Sequence, residues 1–269
     1  MGSPRALRLL KKDAGGIEDE ELVFTVQGAL AKKELPPIDK PLSQNTRLAL
    51  LSQYISLCGL GSEVFDDAVK GLEIVEDQFR RNLDDNEMTD HVIVGAIRQH
   101  QTIDLANRYV TCKNATNGSA EVELDNAVDP NGHIAKLILR EDGKYVRTEE
   151  NVVEFYERTR ETDGRWSYVR LNPKKFKVGD IVEAQFSLSC VSLGHRHGNK
   201  WRMVGILRCL TLLDGSFTEA AVKAKREADR SEREAKTAKR KTISAQAKAG
   251  PVKRRVGYEG QMGNNASMT

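Results

Sequence analysis

Between Val182 and Cys190 apolar and polar side chains alternate without a break. Val182, Ala184, Phe186, Leu188 and Cys190 fall on one side, and Glu183, Gln185, Ser187 and Ser189 on the other. A period of two is the signature of a strand with one buried face. A second apolar run covers residues 201–213, and the stretch 194–199 between the two has turn chemistry, so a long antiparallel hairpin is expected here. Shorter strands are expected at 134–140, 144–148, 152–160 and 165–171. Glu141-Asp142-Gly143 and Thr162-Asp163-Gly164 join them as tight turns, because Gly supplies the positive φ such turns need. Together these predict an antiparallel curved β-sheet or small β-barrel over residues 134–216.

The preceding residues carry a longer period. Leu48, Leu51, Ile55 and Cys58 recur every three or four residues, as do Phe65, Ala68, Leu72, Val75, Phe79 and Leu83, and a third helix would place Val92, Ala96, Ile97 and Ile103 inward. Three amphipathic helices with short connections predict a helical bundle over 41–112. The Asn, Gly and Pro residues of 113–133 mark a linker. Residues 1–40 hold one apolar segment, 22–26, in an otherwise loosely ordered arm. The fold class expected is therefore α+β, a helical bundle followed by a β-rich domain and a helical or disordered tail over 217–269. The second helix is acidic, with Glu63, Asp66, Asp67, Glu73, Glu76 and Asp77. That charge repels phosphate and argues against a helix-turn-helix reader, leaving the bundle a structural or protein-binding part.

Charge changes the picture at the C-terminus. The net +3 averages a mildly acidic body and a tail in which residues 219–255 carry thirteen Lys or Arg against five acidic residues. Nucleic acid, another polyanion or import machinery is the partner such a tail suits. Lys223, Lys225 and Arg226, then Lys239, Arg240 and Lys241, then Lys253, Arg254 and Arg255 resemble bipartite and short nuclear import signals. A nuclear location follows, with the cytoplasm as the alternative. No apolar run approaches the roughly 20 residues that span a bilayer, so no membrane partner is expected. The four cysteines, Cys58, Cys112, Cys190 and Cys209, are scattered without a Cys-x-x-Cys pair and are expected to be reduced thiols with packing roles.

The stretch Tyr145-Val146-Arg147-Thr148-Glu149-Glu150-Asn151-Val152-Val153-Glu154-Phe155-Tyr156, then Asn172-Pro173, then Phe176-Lys177-Val178-Gly179-Asp180-Ile181-Val182-Glu183, then Leu207-Arg208-Cys209-Leu210-Thr211-Leu212-Leu213-Asp214 resembles an uncharacterised protein family of mushroom-forming fungi. The resemblance is limited to the β-rich C-terminal part. It implies a fungal origin and carries over no catalytic residue.

Candidate chemistry is concentrated in the same part. Eight of the fifteen aromatic residues lie between Tyr145 and Trp201, interleaved with Arg and Lys. Aromatic platforms flanked by cations are what barrel-type binders of single-stranded nucleic acid use, by stacking and phosphate attraction. Tyr156, Trp166 and Tyr168 with Arg165, Arg170, Lys174 and Lys175 are the candidate contacts. The competing reading is that these aromatics fill a core. A metal site could be assembled only from His195 and His197 with Cys190 and Cys209, and a Gly-His-Arg-His-Gly loop is more simply a polar turn. No phosphate-cradling loop, nucleophile elbow or zinc-protease helix is present, so no cofactor is expected. The sequence thus points to a non-enzymatic nuclear protein that binds nucleic acid or a chromatin-associated protein. The alternatives are a protein-protein adaptor using the helical bundle and a metal-dependent enzyme using His195 and His197.

Overall fold

A computed structural model of the chain describes residues 6–11, 20–43, 45–83, 88–89, 93–116, 118–193 and 200–248, with side chains to 239. Its strands are β1 (Ala6–Arg8), β2 (Leu10–Lys11), β3 (Glu20–Glu21), β4 (Val23–Glu34), β5 (Ser52–Cys58), β6 (Val94–Ile97), β7 (His100–Arg108), β8 (Thr111–Cys112), β9 (Tyr145–Val146), β10 (Glu154–Arg160), β11 (Trp166–Arg170), β12 (Ile181–Ser192) and β13 (Trp201–Asp214). The helices are α1 (Glu63–Arg81), α2 (His133–Arg140) and α3 (Ser216–Lys248).

Five strands close on themselves. β12 pairs with β4, β4 with β5 and β5 with β7, all antiparallel. β7 then meets β13 in parallel, and β13 runs antiparallel beside β12 to complete the ring. Counted along the chain, the order around the ring is first, second, third, fifth, fourth. This Greek-key arrangement of five strands is that of an OB-fold barrel. Its parallel seam is narrow, with Ile206 opposite Ala106. β6 lies outside β7 and β1 outside β12, while β10 joins β13 in parallel and carries β11 on its other side.

The barrel interior is built from the alternation that makes each strand. Ile55 and Leu57, Ile103 and Leu105, Val182, Ala184, Phe186 and Leu188, and Leu207 and Leu210 all point inward and are buried. α1 adds Phe65, Val69, Leu72 and Phe79 to this core. A satellite core joins Leu48, Tyr109, Val110, Ile134 and Leu137. At the start of α2 the buried Asp129 carboxylate accepts the backbone N–H groups of His133, Ile134 and Ala135 at 2.7, 2.8 and 3.0 Å, satisfying donors that a helix start leaves without partners.

The helical bundle expected over 41–112 does not form. Among the described residues of that stretch α1 is the only α-helix, and the other elements are β5, β6, β7, β8 and a 3-10 turn at Leu48–Leu50. The error has a physical source in β5, where Ile55, Ser56, Leu57 and Cys58 are all buried. A strand covered on both faces is a continuous apolar run, which periodicity cannot distinguish from a short helix. The sheet is mixed rather than antiparallel, because β13 has parallel neighbours in β7 and β10. Residues 134–140, expected as a strand, form α2 behind the Asp129 cap. The N-terminal region, expected to be mostly loose, supplies the twelve-residue β4 to the barrel wall.

The described residues up to Ala220 form one compact unit and those from Ala221 onward a second. The first turn of α3 belongs to the former, where the Thr218 hydroxyl donates to the buried Asp180 carboxylate. In the latter, α3 is exposed along residues 221–239 and carries the (i, i+4) pairs Arg230–Glu234 and Lys236–Glu232. Among the described residues, no helix is long and apolar enough to cross a membrane.

Candidate nucleic-acid interface

The hairpin β10–β11 is formed by two segments that alternate independently, Tyr156-Glu157-Arg158-Thr159-Arg160 and Trp166-Ser167-Tyr168-Val169-Arg170. Its turn is held by the Glu161 N–H donating to the Arg165 carbonyl at 2.8 Å and the Gly164 N–H donating to the Glu161 carbonyl at 2.9 Å. Gly164 has φ +85°, which a residue with a Cβ adopts only at a cost. This turn sets the register, with Tyr156 opposite Arg170, Arg158 opposite Tyr168 and Arg160 opposite Trp166.

Residues directly opposite in an antiparallel pair share a face. One face of the hairpin is therefore made of three aromatic–arginine pairs, with the aromatic first on β10 and then twice on β11. The other face turns inward at its root, where Phe155 packs on the buried Phe176 with ring centroids 6.0 Å apart. The aromatic face is outward. Trp166 and Tyr168 keep 55 % and 56 % of their surface in solvent, which rules out the core-filling reading for both.

The cations are arranged around the rings. The Arg158 guanidinium carbon lies 4.5 Å from the Trp166 ring centroid and that of Arg160 lies 5.8 Å away, within the range of cation–π attraction. At the root, Glu154 accepts from Arg170 Nη2 at 3.1 Å and from the Tyr156 hydroxyl at 2.9 Å. That hydrogen bond to Glu154 raises the Tyr156 phenol above its ordinary pKa. Ring and guanidinium are thus fixed relative to each other before any ligand arrives.

Of the residues expected from the sequence, Tyr156, Trp166, Tyr168 and Arg170 converge on this face. Arg165 does not: it lies in the turn, where its backbone N–H and Nε both donate to Asp163, at 2.9 and 2.6 Å, and hold that carboxyl below its usual range. Lys174 and Lys175 follow Arg170 in a short turn fixed by the Asn172 side chain, and Lys174 pairs with Asp39 at 2.7 Å. Sequence reasoning omitted Arg158 and Arg160 from the site. Their spacing of two and four residues from Tyr156 was the available signal.

The remaining candidates are dispersed. Lys223, Lys225, Arg226 and Lys239 are exposed on α3, while the side chains of Arg240 and Lys241 and the whole of Lys253, Arg254 and Arg255 lie outside the described residues. His195 and His197 lie outside them too. Cys190 is buried in the barrel, and burial pushes its thiol up to about 11. Cys209, opposite Gln185, is on the outward side of the barrel wall, so the two sulfurs do not converge on a metal. Among the described residues no three His, Cys, Asp or Glu side chains cluster as metal ligands.

No family model matches the chain, and no curated protein matches it. Among solved structures, one similar chain is the crystal structure of gp2.5, a single-stranded DNA binding protein encoded by bacteriophage T7. The two share 10 % identity and a TM-score of 0.37, over 72 % of this chain and 87 % of that one. So loose a likeness carries no argument here.

Proposed function

We propose that this protein binds single-stranded nucleic acid on the outward face of the β10–β11 hairpin. The observation that carries the proposal is the set of three cross-strand aromatic–arginine pairs on one face, with Trp166 and Tyr168 exposed. An aromatic side chain stacking on a base contributes about 1–3 kcal/mol, whatever the base, and needs a base not already stacked in a duplex. Trp166 and Tyr168 stand two residues apart on one strand, roughly 6.6 Å, a spacing that suits successive bases of an extended chain. Arg158, Arg160 and Arg170 place positive charge where the phosphates between those bases would run. The basic tail adds sequence-independent affinity through counterion release, and its Lys and Arg clusters would serve nuclear import.

Fluorescence anisotropy with labelled single- and double-stranded oligonucleotides at several salt concentrations tests this reading. The full-length protein should prefer single strands, and Trp166→Ala with Tyr168→Ala should weaken single-strand binding by at least about tenfold. Truncation after Ala220 should flatten the salt dependence and leave the single-strand preference in place. Equal binding by the wild-type protein and the double variant would refute the hairpin as the binding face. A fluorescent fusion with and without residues 221–269 tests the nuclear assignment.

A further inference from the structure

Where the aromatic face ends at Tyr156 and Arg170, a groove of about 460 Å³ begins, and it shares Glu154 and Arg170 with that face. Its wall includes Arg147, which is 7 % exposed. A guanidinium has five N–H donors. Among the described residues, one of them is engaged, Nη1 donating to the Tyr109 carbonyl at 3.3 Å. Burial pulls the pKa of Arg147 down, yet a guanidinium starts so high that it keeps its charge. None of its remaining nitrogens is a buried atom without a partner, so those donors reach the solvent of the groove and are available to an acceptor that enters it.

The rest of the lining narrows what that acceptor is. Glu123, Asp125 and Glu154 add negative charge to the groove, which disfavours a phosphate. Pro36, Val128, Val153 and Leu171 supply apolar surface suited to a flat ring. The volume falls within the range of pockets that enclose small organic ligands. The chain segment bearing Glu123 and Asp125 is held beside Arg147 by the Val122 N–H donating to the Arg147 carbonyl at 3.0 Å. Donors and acceptors therefore face a common apolar slot.

We infer that this groove receives one base of the strand that stacks on Trp166 and Tyr168, and that the base it selects is guanine. This rests on the single-strand reading above. Guanine presents two adjacent acceptors, O6 and N7, to an arginine fork, and a separate N2–H₂ donor to a carboxylate. Adenine puts an amino group where O6 would be, and thymine adds a methyl group beside a single acceptor. Unpaired cytosine also has an acceptor pair, O2 and N3, but its amino group adjoins that pair, whereas the N2–H₂ of guanine stands apart from O6 and N7 and can meet a carboxylate on a separate wall. Arg147 takes the O6 and N7 edge, and Glu123 or Asp125 takes the amino edge.

The test is competition anisotropy with full-length protein, using an oligo-dT 12-mer and the same oligomer with one central guanine or one central inosine, which keeps O6 and N7 but lacks the amino group. The expected order is guanine over inosine over thymine, with guanine about tenfold above thymine. Arg147→Lys keeps the charge but loses the fork and should bring the guanine-to-thymine ratio to about one. Glu123→Gln, at an exposed position, should bring guanine down toward inosine. If Arg147→Lys does not fold, Glu123→Gln with Asp125→Asn decides, and an unchanged ratio there overturns the inference. Wild-type protein that binds the guanine and thymine oligomers equally also overturns it, with the hairpin reading intact. Wild-type protein that binds none of the three at low salt overturns both.

Discussion

Gly205 sits on β13 next to the parallel seam, where a Cβ would lie 2.5 Å from Leu105 Cδ2. Leu105 is fully buried and has no room to retreat. Gly205→Ala should therefore cost about 1–3 kcal/mol, as overpacking of a filled core does, and urea denaturation measures it. A second residue-scale prediction concerns Glu150, which is held by Arg8 Nη1 at 2.8 Å and Arg208 Nη2 at 3.0 Å. Burial alone would raise its pKa, but the hydrogen bonds and charges of Arg8 and Arg208 outweigh burial and bring it below the ordinary 4.5. A depressed carboxyl stabilises the fold fully above its unfolded pKa and loses that contribution as pH falls through the folded value. Thermal unfolding between pH 6 and 3 should thus show a larger fall in Tm for the wild-type protein than for Glu150→Gln. Residue identities in the core were readable: Val182, Phe186 and Leu188 alternate with polar neighbours, and all three are buried. Arg158 and Arg160 were harder to assign, because their partner ring, Trp166, comes from a strand whose register no spacing reveals.

At the scale of elements, what could be read depended on whether the sequence itself alternates. The strands at 154–160, 166–170, 181–192 and 201–214 lie within or close to the expected stretches, and β12 was readable because Glu183, Gln185, Ser187 and Ser189 separate its apolar residues even though Ser187 and Ser189 are themselves buried. α1 was readable for the complementary reason, as nineteen residues with one apolar stripe. β5 was not, because Ile55 to Cys58 are covered on both sides, and β7 was not, although Ile103 and Leu105 alternate with Thr102 and Asp104, because the apolar residues before it, Val92, Ala96 and Ile97, suggest a helix. α2 was misread because eight residues give two turns, too few to separate the two periods, and its start is set by Asp129 four residues earlier. That dependence is testable. Asp129→Ala removes the acceptor of three backbone N–H groups at once and should cost about 2 kcal/mol, the upper end for a cap, because the groups it leaves are partly buried. Denaturant titration gives the value, and faster amide exchange at Ile134 and Ala135 would localise it to α2.

For the molecule as a whole, the closure of five strands into a barrel could not be read from the sequence. It depends on β4 being recruited from the N-terminal region and on β13 reaching back to β7, pairings separated by long stretches of chain. The same wiring has a consequence in time. β13 is made last of the barrel strands, yet it is the strand against which β10 is seated, Glu154 opposite Cys209 through Glu157 opposite Leu212. A ribosome delivers the aromatic hairpin some thirty residues before it delivers that support. Until residue 214 has emerged, β10 and β11 are an isolated two-stranded ribbon, which is marginally stable in water. On the proposed function, chains arrested with residues 1–198 outside the ribosome should be unable to retain a labelled single strand, and the released protein should retain it. Synthesis would then act as a timer that keeps the growing chain from capturing the nucleic acid around it.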